Sequence, residues 1–138
     1  CVLVSEKSLR ISLNGCDISG SRRGSGILAT DKSSVKISNC SISKNHLSGI
    51  DIQGGSFLIA LNCNVFDNKK SGMFAHSFGE IEVSCSSIYQ NKYAGTFTTS
   101  TTAKTAALQA IFTHKHAVSR LEKKILLTIM SIYKYLYK

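Results

Sequence analysis

The side chains able to do chemistry in this chain recur at a fixed step. Arg23, His46, Lys69 and Lys92 each stand 23 positions from the last. The position after the last two is Lys70 and Tyr93. A row of cations on one edge would attract an acidic or phosphorylated ligand through its summed field. The cysteines nearly share the step: Cys40 and Cys63 are in register, while Cys85 falls one place early, opposite Asn39 and Asn62. A four-coordinate metal site needs thiolates converging on one point, and residues repeating once per unit are spread along an axis instead. Stacked side chains also point the same way, which is poor geometry for a disulfide. No metal ligand and no cofactor is assigned. The cysteines read as small buried residues of a reducing compartment, cytoplasmic or nuclear. Asn39-Cys40-Ser41 is formally a glycosylation acceptor, and secretion stays open.

The carboxylates do not share the step. Asp51 is followed 23 residues later by Phe74, and Asp67 by Gln90; Asp17 and Asp31 fall at other places. Cleavage of a glycosidic bond needs a carboxylate pair, and calcium binding needs clustered oxygen ligands. Neither pattern is present, nor is an Arg-x-Lys or Gly-His-Gly triplet. No catalytic residue is assigned.

The elements that would position these residues follow from the same repeat. Gly26, Gly49, Gly72 and Gly95 keep the step, as do Asn45, Asn68 and Asn91. So do Ile42, Val65 and Ile88, and Val35, Leu58 and Ile81. Within each unit apolar residues alternate over short stretches, as in Val35/Ile37 and Ile50/Ile52. A period of two means strand. Each unit predicts two or three strands of about four residues separated by Gly, Asn and Ser turns. Twenty-three residues is too short for a two-helix repeat. The reading is a solenoid in which like residues stack about 4.8 Å apart. The repeat glycines are expected to supply positive φ. The asparagines are expected to form a ladder, each amide bonding the next. In the first unit, SLRIS at 8–12 resembles SVKIS at 34–38, with an extra pair of residues before Cys16. CVLV reads as the last strand of a coil begun before the sequence given.

The pattern V-x-I-x-x-C-x-I-x-x-N-x-x-x-G-I-x-I runs from Val35 to Ile52 and recurs from Leu58 to Ala75. It resembles the parallel β-helix repeats of the pectin-lyase-like superfamily, over residues 1–100. That superfamily holds polysaccharide lyases and hydrolases and also non-enzymatic eukaryotic members. The short coils look more like the latter, such as β-helix F-box proteins and SHC SH2-domain-binding proteins. The resemblance implies a right-handed parallel β-helix of about four 23-residue coils, and right-handed crossovers agree with the general rule.

The net charge of +9 is uneven. Residues 1–103 hold ten Lys/Arg and seven Asp/Glu, and 104–138 hold seven against one. Residues 101–115 read as a transition. Beyond it, Leu121, Ile125, Ile129, Ile132 and Leu136 share one helical face, which predicts a basic amphipathic α-helix over 116–138. It would serve as a solenoid cap, as sequence replacing further coils, or as a contact to a membrane or partner. The expected function is a non-enzymatic protein-recognition scaffold, monomeric, binding an acidic or phosphorylated protein and no nucleic acid. The alternative is a carbohydrate-active enzyme or glycan-binding module.

Overall fold

Alternating apolar residues bounded by turn formers do form short strands. A computed structural model describes residues 1–98 except 6, 8 and 9, with backbone alone over 97–98, 104–108 and 111–113. The chain opens with β1 (Val2–Val4) and then repeats a three-strand coil. The coils are β2 (Arg10–Asn14), β3 (Asp17–Ser19) and β4 (Ile27–Ala29); β5 (Ser34–Ser38), β6 (Ser41–Ser43) and β7 (Ile50–Ile52). They continue with β8 (Phe57–Leu61), β9 (Asn64–Phe66) and β10 (Met73–Ala75); then β11 (Glu80–Ser84), β12 (Ser87–Tyr89) and β13 (Thr96–Thr98). Last come β14 (Lys104–Leu108) and β15 (Ile111–Thr113). Every strand pairs in parallel with its equivalent one coil away. Among the described residues three five-stranded sheets result, ordered β1-β4-β7-β10-β13, β2-β5-β8-β11-β14 and β3-β6-β9-β12-β15. They are called A, B and C below.

The core is a set of columns inside the coil. Ile18, Ile42, Val65 and Ile88 line sheet C; Val35, Leu58 and Ile81 line sheet B; Ile27, Ile50 and Met73 line sheet A. All are buried. Each such side chain contributes about 1.5–3 kcal/mol by leaving water, and no coil can bury its own column without neighbours.

Left-handed residues make the corners. Between sheets B and C they are Gly15, Asn39, Asn62 and Cys85. Cys85 thus takes the turn position that its offset from Cys63 indicates. Between C and A they are Gly20, Lys44, Asp67 and Gln90. Between A and B the corner is a left-handed pair: Asp31–Lys32, Gly54–Gly55 and Ser77–Phe78.

Three expectations are corrected. The repeat glycines do not hold positive φ. Gly26, Gly49 and Gly72 are needed because nothing larger fits: a Cβ on Gly49 would lie 2.6 Å from Val65 Cγ1, 2.7 Å from Gly72 O and 2.8 Å from Asn68 Nδ2. The first coil also pairs differently. Arg10–Asn14, not residues 8–12, aligns with Ser34–Ser38, so Ile11 stacks on Val35 and Leu13 on Ile37. Register follows the residues that face the core, and polar letters shared between two strands do not set it. No extra pair precedes Cys16, whose carbonyl accepts from Ser41 N as that of Cys40 accepts from Asn64 N. The coil step varies along the chain: 25 residues from Val2 to Ile27, 24 from Arg10 to Ser34, 23 from Ile27 to Ile50, and 24 again from Glu80 to Lys104. Finally, 101–115 is more than a transition, because β14 and β15 extend sheets B and C past position 100. Its weak alternation, Lys-Thr-Ala-Ala-Leu, hides a strand whose partner is a full coil away. The helix expected over 116–138 lies outside the described residues.

Candidate functional site

The corner between sheets C and A carries the cationic row, and buried asparagines hold it in place. Asn45 Nδ2 donates to Asn68 Oδ1 at 3.0 Å, and Asn68 Nδ2 to Asn91 Oδ1 at 2.9 Å. The same oxygens accept from the main chain one coil earlier, at Asn45 N and Asn68 N, both 3.1 Å. Each amide also reaches back to a strand carbonyl: Asn45 to Ile18 O, Asn68 to Ile42 O, Asn91 to Val65 O. A buried amide so satisfied fixes its corner, since any unpaired group there would cost about 1–3 kcal/mol.

The next residue in each corner points outward. Lys69 N donates to Asn45 O and Lys92 N to Asn68 O, which stacks His46, Lys69 and Lys92. His46 N donates to Ser21 O, however, so the residue beneath His46 is Arg22. The adjacent row of Gly24, Leu47, Lys70 and Tyr93 is joined by Leu47 N to Gly24 O, Lys70 N to Leu47 O and Tyr93 N to Lys70 O. One residue is therefore gained between Ser21 and Gly24, and Arg23 is that residue. The expectation that Arg23 itself heads the row is corrected by one place, because a constant step overlooks a residue gained in a turn. Arg22, Arg23, His46, Lys69, Lys70, Lys92 and Tyr93 are all exposed. Lys92 Nζ lies 5.5 Å from the centre of the Tyr93 ring, a cation–π distance. Lys44 adds a cation to this edge and Asp67 an anion, both exposed.

The model of a right-handed beta helix region matches residues 3–111. The chain belongs to the right-handed β-helix family. That agrees with the resemblance to the pectin-lyase-like superfamily, and the matched span runs on through β14. Neither the curated proteins nor the solved structures yield a match.

In this β-helix the cysteine column closes a corner. Cys40 Sγ donates to Ser38 O at 3.1 Å, and Cys63 Sγ to Leu61 O at 3.2 Å. One coil on, Ser86 Oγ makes the same contact to Ser84 O at 2.8 Å. A hydroxyl and a thiol thus do the same work, which a reading of cysteine as a purely apolar filler misses. None of the five cysteines forms a disulfide. Burial pushes the Cys63 thiol up, away from the reactive thiolate.

The β-helix also brings together residues that the repeat did not single out. On the outer face of sheet A, Asp51 Oδ1 lies 3.1 Å from His76 Nε2, and His76 Nδ1 lies 3.1 Å from Ser77 Oγ. The Phe74 ring stacks on His76 at 4.6 Å. Burial raises the Asp51 carboxyl above its ordinary 3.8, against the opposing pull of His76 and, more weakly, of Lys70. Asp51 and His76 are 25 positions apart and meet diagonally across coils, so a search for residues in one column passes over them. Lys70 links this face to the cationic edge. Among the described residues no three or more His, Cys, Asp or Glu side chains gather as a metal site.

Proposed function

We propose that this β-helix is a non-enzymatic recognition scaffold whose cationic corner docks an acidic or phosphorylated protein segment. The observation that carries the reading is the stacked, exposed row of Arg22, His46, Lys69 and Lys92 beside Arg23, Lys70 and Tyr93. Arg22, Lys69 and Lys92, with His46 between the first two, stand about 4.8 Å apart per coil on a sheet corner, and the charged members add their fields over a short length. The ladder beneath already orders the backbone of the corner, so on this side binding has mainly side chains left to order. Tyr93 offers an apolar surface at the end of the row.

Asp17, Asp31, Asp51 and Asp67 each occupy a different column, so no two of these carboxylates stack on adjacent coils. This favours recognition over glycan cleavage. A reducing compartment suits the unpaired, buried Cys40 and Cys63, and the cytoplasm or nucleus is the proposed location.

The test is fluorescence anisotropy with a labelled glutamate-rich peptide and its phosphoserine counterpart, at low salt and at about 0.5 M, where screening is strong. Wild type should bind, with affinity falling as salt rises. A variant with Arg22, Arg23, Lys69 and Lys92 changed to Ser should keep its circular dichroism spectrum and lose most of that binding. Equal affinity and equal salt dependence for the two proteins would remove the corner as a docking site. Release of reducing ends or unsaturated products from polygalacturonate would replace the scaffold reading with the enzymatic one.

A further inference from the structure

The outer face of sheet B is ordered by charge, one coil at a time. β8 is the middle of the five described strands of this sheet. It turns Phe57, Ile59 and Leu61 outward, with Leu58 and Ala60 buried behind them. Leu61 keeps 42% of its surface in water. On one side β5 presents Lys36, and on the other β11 presents Glu80 and Glu82. Lys36, Ile59 and Glu82 lie in one column, each directly beside the next. The face therefore reads cation, apolar row, anion, in steps of about 4.8 Å.

This order is antisymmetric about β8, and that selects an occupant. We infer that the outer face of sheet B is a self-association surface for a second copy of this chain. The two-fold axis runs along β8, so the solenoids lie antiparallel. That operation places Ile59 against Ile59, with Phe57 and Leu61 meeting their counterparts. It sets Lys36 of each copy opposite Glu82 of the other, two such pairs per dimer. A two-fold along the solenoid axis would instead set Lys36 on Lys36 and Glu82 on Glu82, which is repulsive. A closed isologous pair needs this kind of self-complementary patch.

The size of the face sets the strength. Five strands of five residues span about 24 Å by 17 Å, or roughly 400 Å² per copy. About 800 Å² in total is below the 1,200–2,000 Å² of stable complexes. The association is therefore weak and reversible. It departs from the monomer expected from the sequence, and it uses a different face from the cationic corner.

Sedimentation velocity of the whole chain, over about 1–300 μM, tests the pairing. Wild type should shift from monomer to dimer across that range. Lys36→Glu and Glu82→Lys should each weaken dimerisation by about tenfold or more, because each puts like charges opposite one another. The double variant restores opposite charges and should return to within about threefold of wild type. Ile59→Lys should be monomeric throughout, with an unchanged circular dichroism melt because the side chain points outward. A wild type that stays monomeric at the highest concentration overturns the inference. So does a double variant no better than either single one. Neither result touches the peptide binding proposed for the corner, which is measured separately.

Discussion

Replacing Gly49 with alanine adds one methyl group at the most crowded point of the solenoid. That methyl would sit 2.6 Å from Val65 Cγ1, 2.7 Å from Gly72 O and 2.8 Å from Asn68 Nδ2. The valine can shift by a few tenths of an ångström. The carbonyl cannot, because Gly72 O accepts from Ile50 N at 3.0 Å in the main-chain ladder. The amide is held by Asn91 and by two carbonyls. Overpacking of a tight core costs about 1–3 kcal/mol, and three contacts with little room to relax place this variant near 3 kcal/mol. Gly20 gives the comparison. Its φ is +73° and a Cβ there meets nothing within 4 Å. Gly20→Ala therefore carries only the left-handed backbone cost, about 1 kcal/mol. At about 4 °C per kcal/mol for a chain of this length, thermal melts followed by circular dichroism should fall by roughly 12 °C for Gly49→Ala and 4 °C for Gly20→Ala. If Gly49→Ala melts no lower than Gly20→Ala, close approach does not explain the repeat glycines.

Asn68→Leu keeps the volume but removes the oxygen that serves Asn45 N and Asn45 Nδ2; at about 1–3 kcal/mol per orphaned buried donor, a urea midpoint lowered by about 3 kcal/mol or more of stability is expected. Iodoacetamide should label exposed Cys1 and Cys85 in the native protein, and label Cys40 and Cys63 only after unfolding; native labelling of Cys63, read by mass spectrometry, would contradict its raised thiol. Asp51 holds its proton more tightly folded than unfolded. Its contribution to stability is thus complete below 3.8 and is lost as pH climbs through the raised value. Asp51→Asn lacks that loss, so its stability relative to wild type should improve as pH rises from about 3.5 to about 5.5; a constant difference in denaturant melts would deny the burial effect.

Residues that repeat in one column were readable in the sequence because the solenoid makes sequence period and spatial stacking the same thing. Ile42, Val65 and Ile88 announced the core, and Asn45, Asn68 and Asn91 the ladder. What the repeat could not show is contact across columns. Asp51 and His76 meet because parallel strands place diagonal neighbours within side-chain reach, and Phe57, Ile59 and Leu61 look like any apolar strand until Leu58 and Ala60 are seen to occupy the inside. The role of Gly49 was misassigned for a similar reason: glycine at a fixed step signals either positive φ or a missing Cβ, and only the positions of Val65 and Asn68 decide between them. Arg22 and Arg23 were separated by counting residues, whereas the main-chain bonds count coils.

The uneven coil length has a consequence for how such a chain can change over time. Steps of 25, 24 and 23 residues coexist with strands of unchanged length and unbroken pairing. An added residue at Arg22–Arg23 is absorbed at a corner, and every later side chain keeps its face. The same addition inside β5 would turn Val35 and Ile37 toward water and Lys36 toward the core. Reading-frame-preserving insertions should therefore survive at corners and be lost from strands. Corners that have already gained a residue, the cationic one among them, can acquire new loops without disturbing the columns that hold them up.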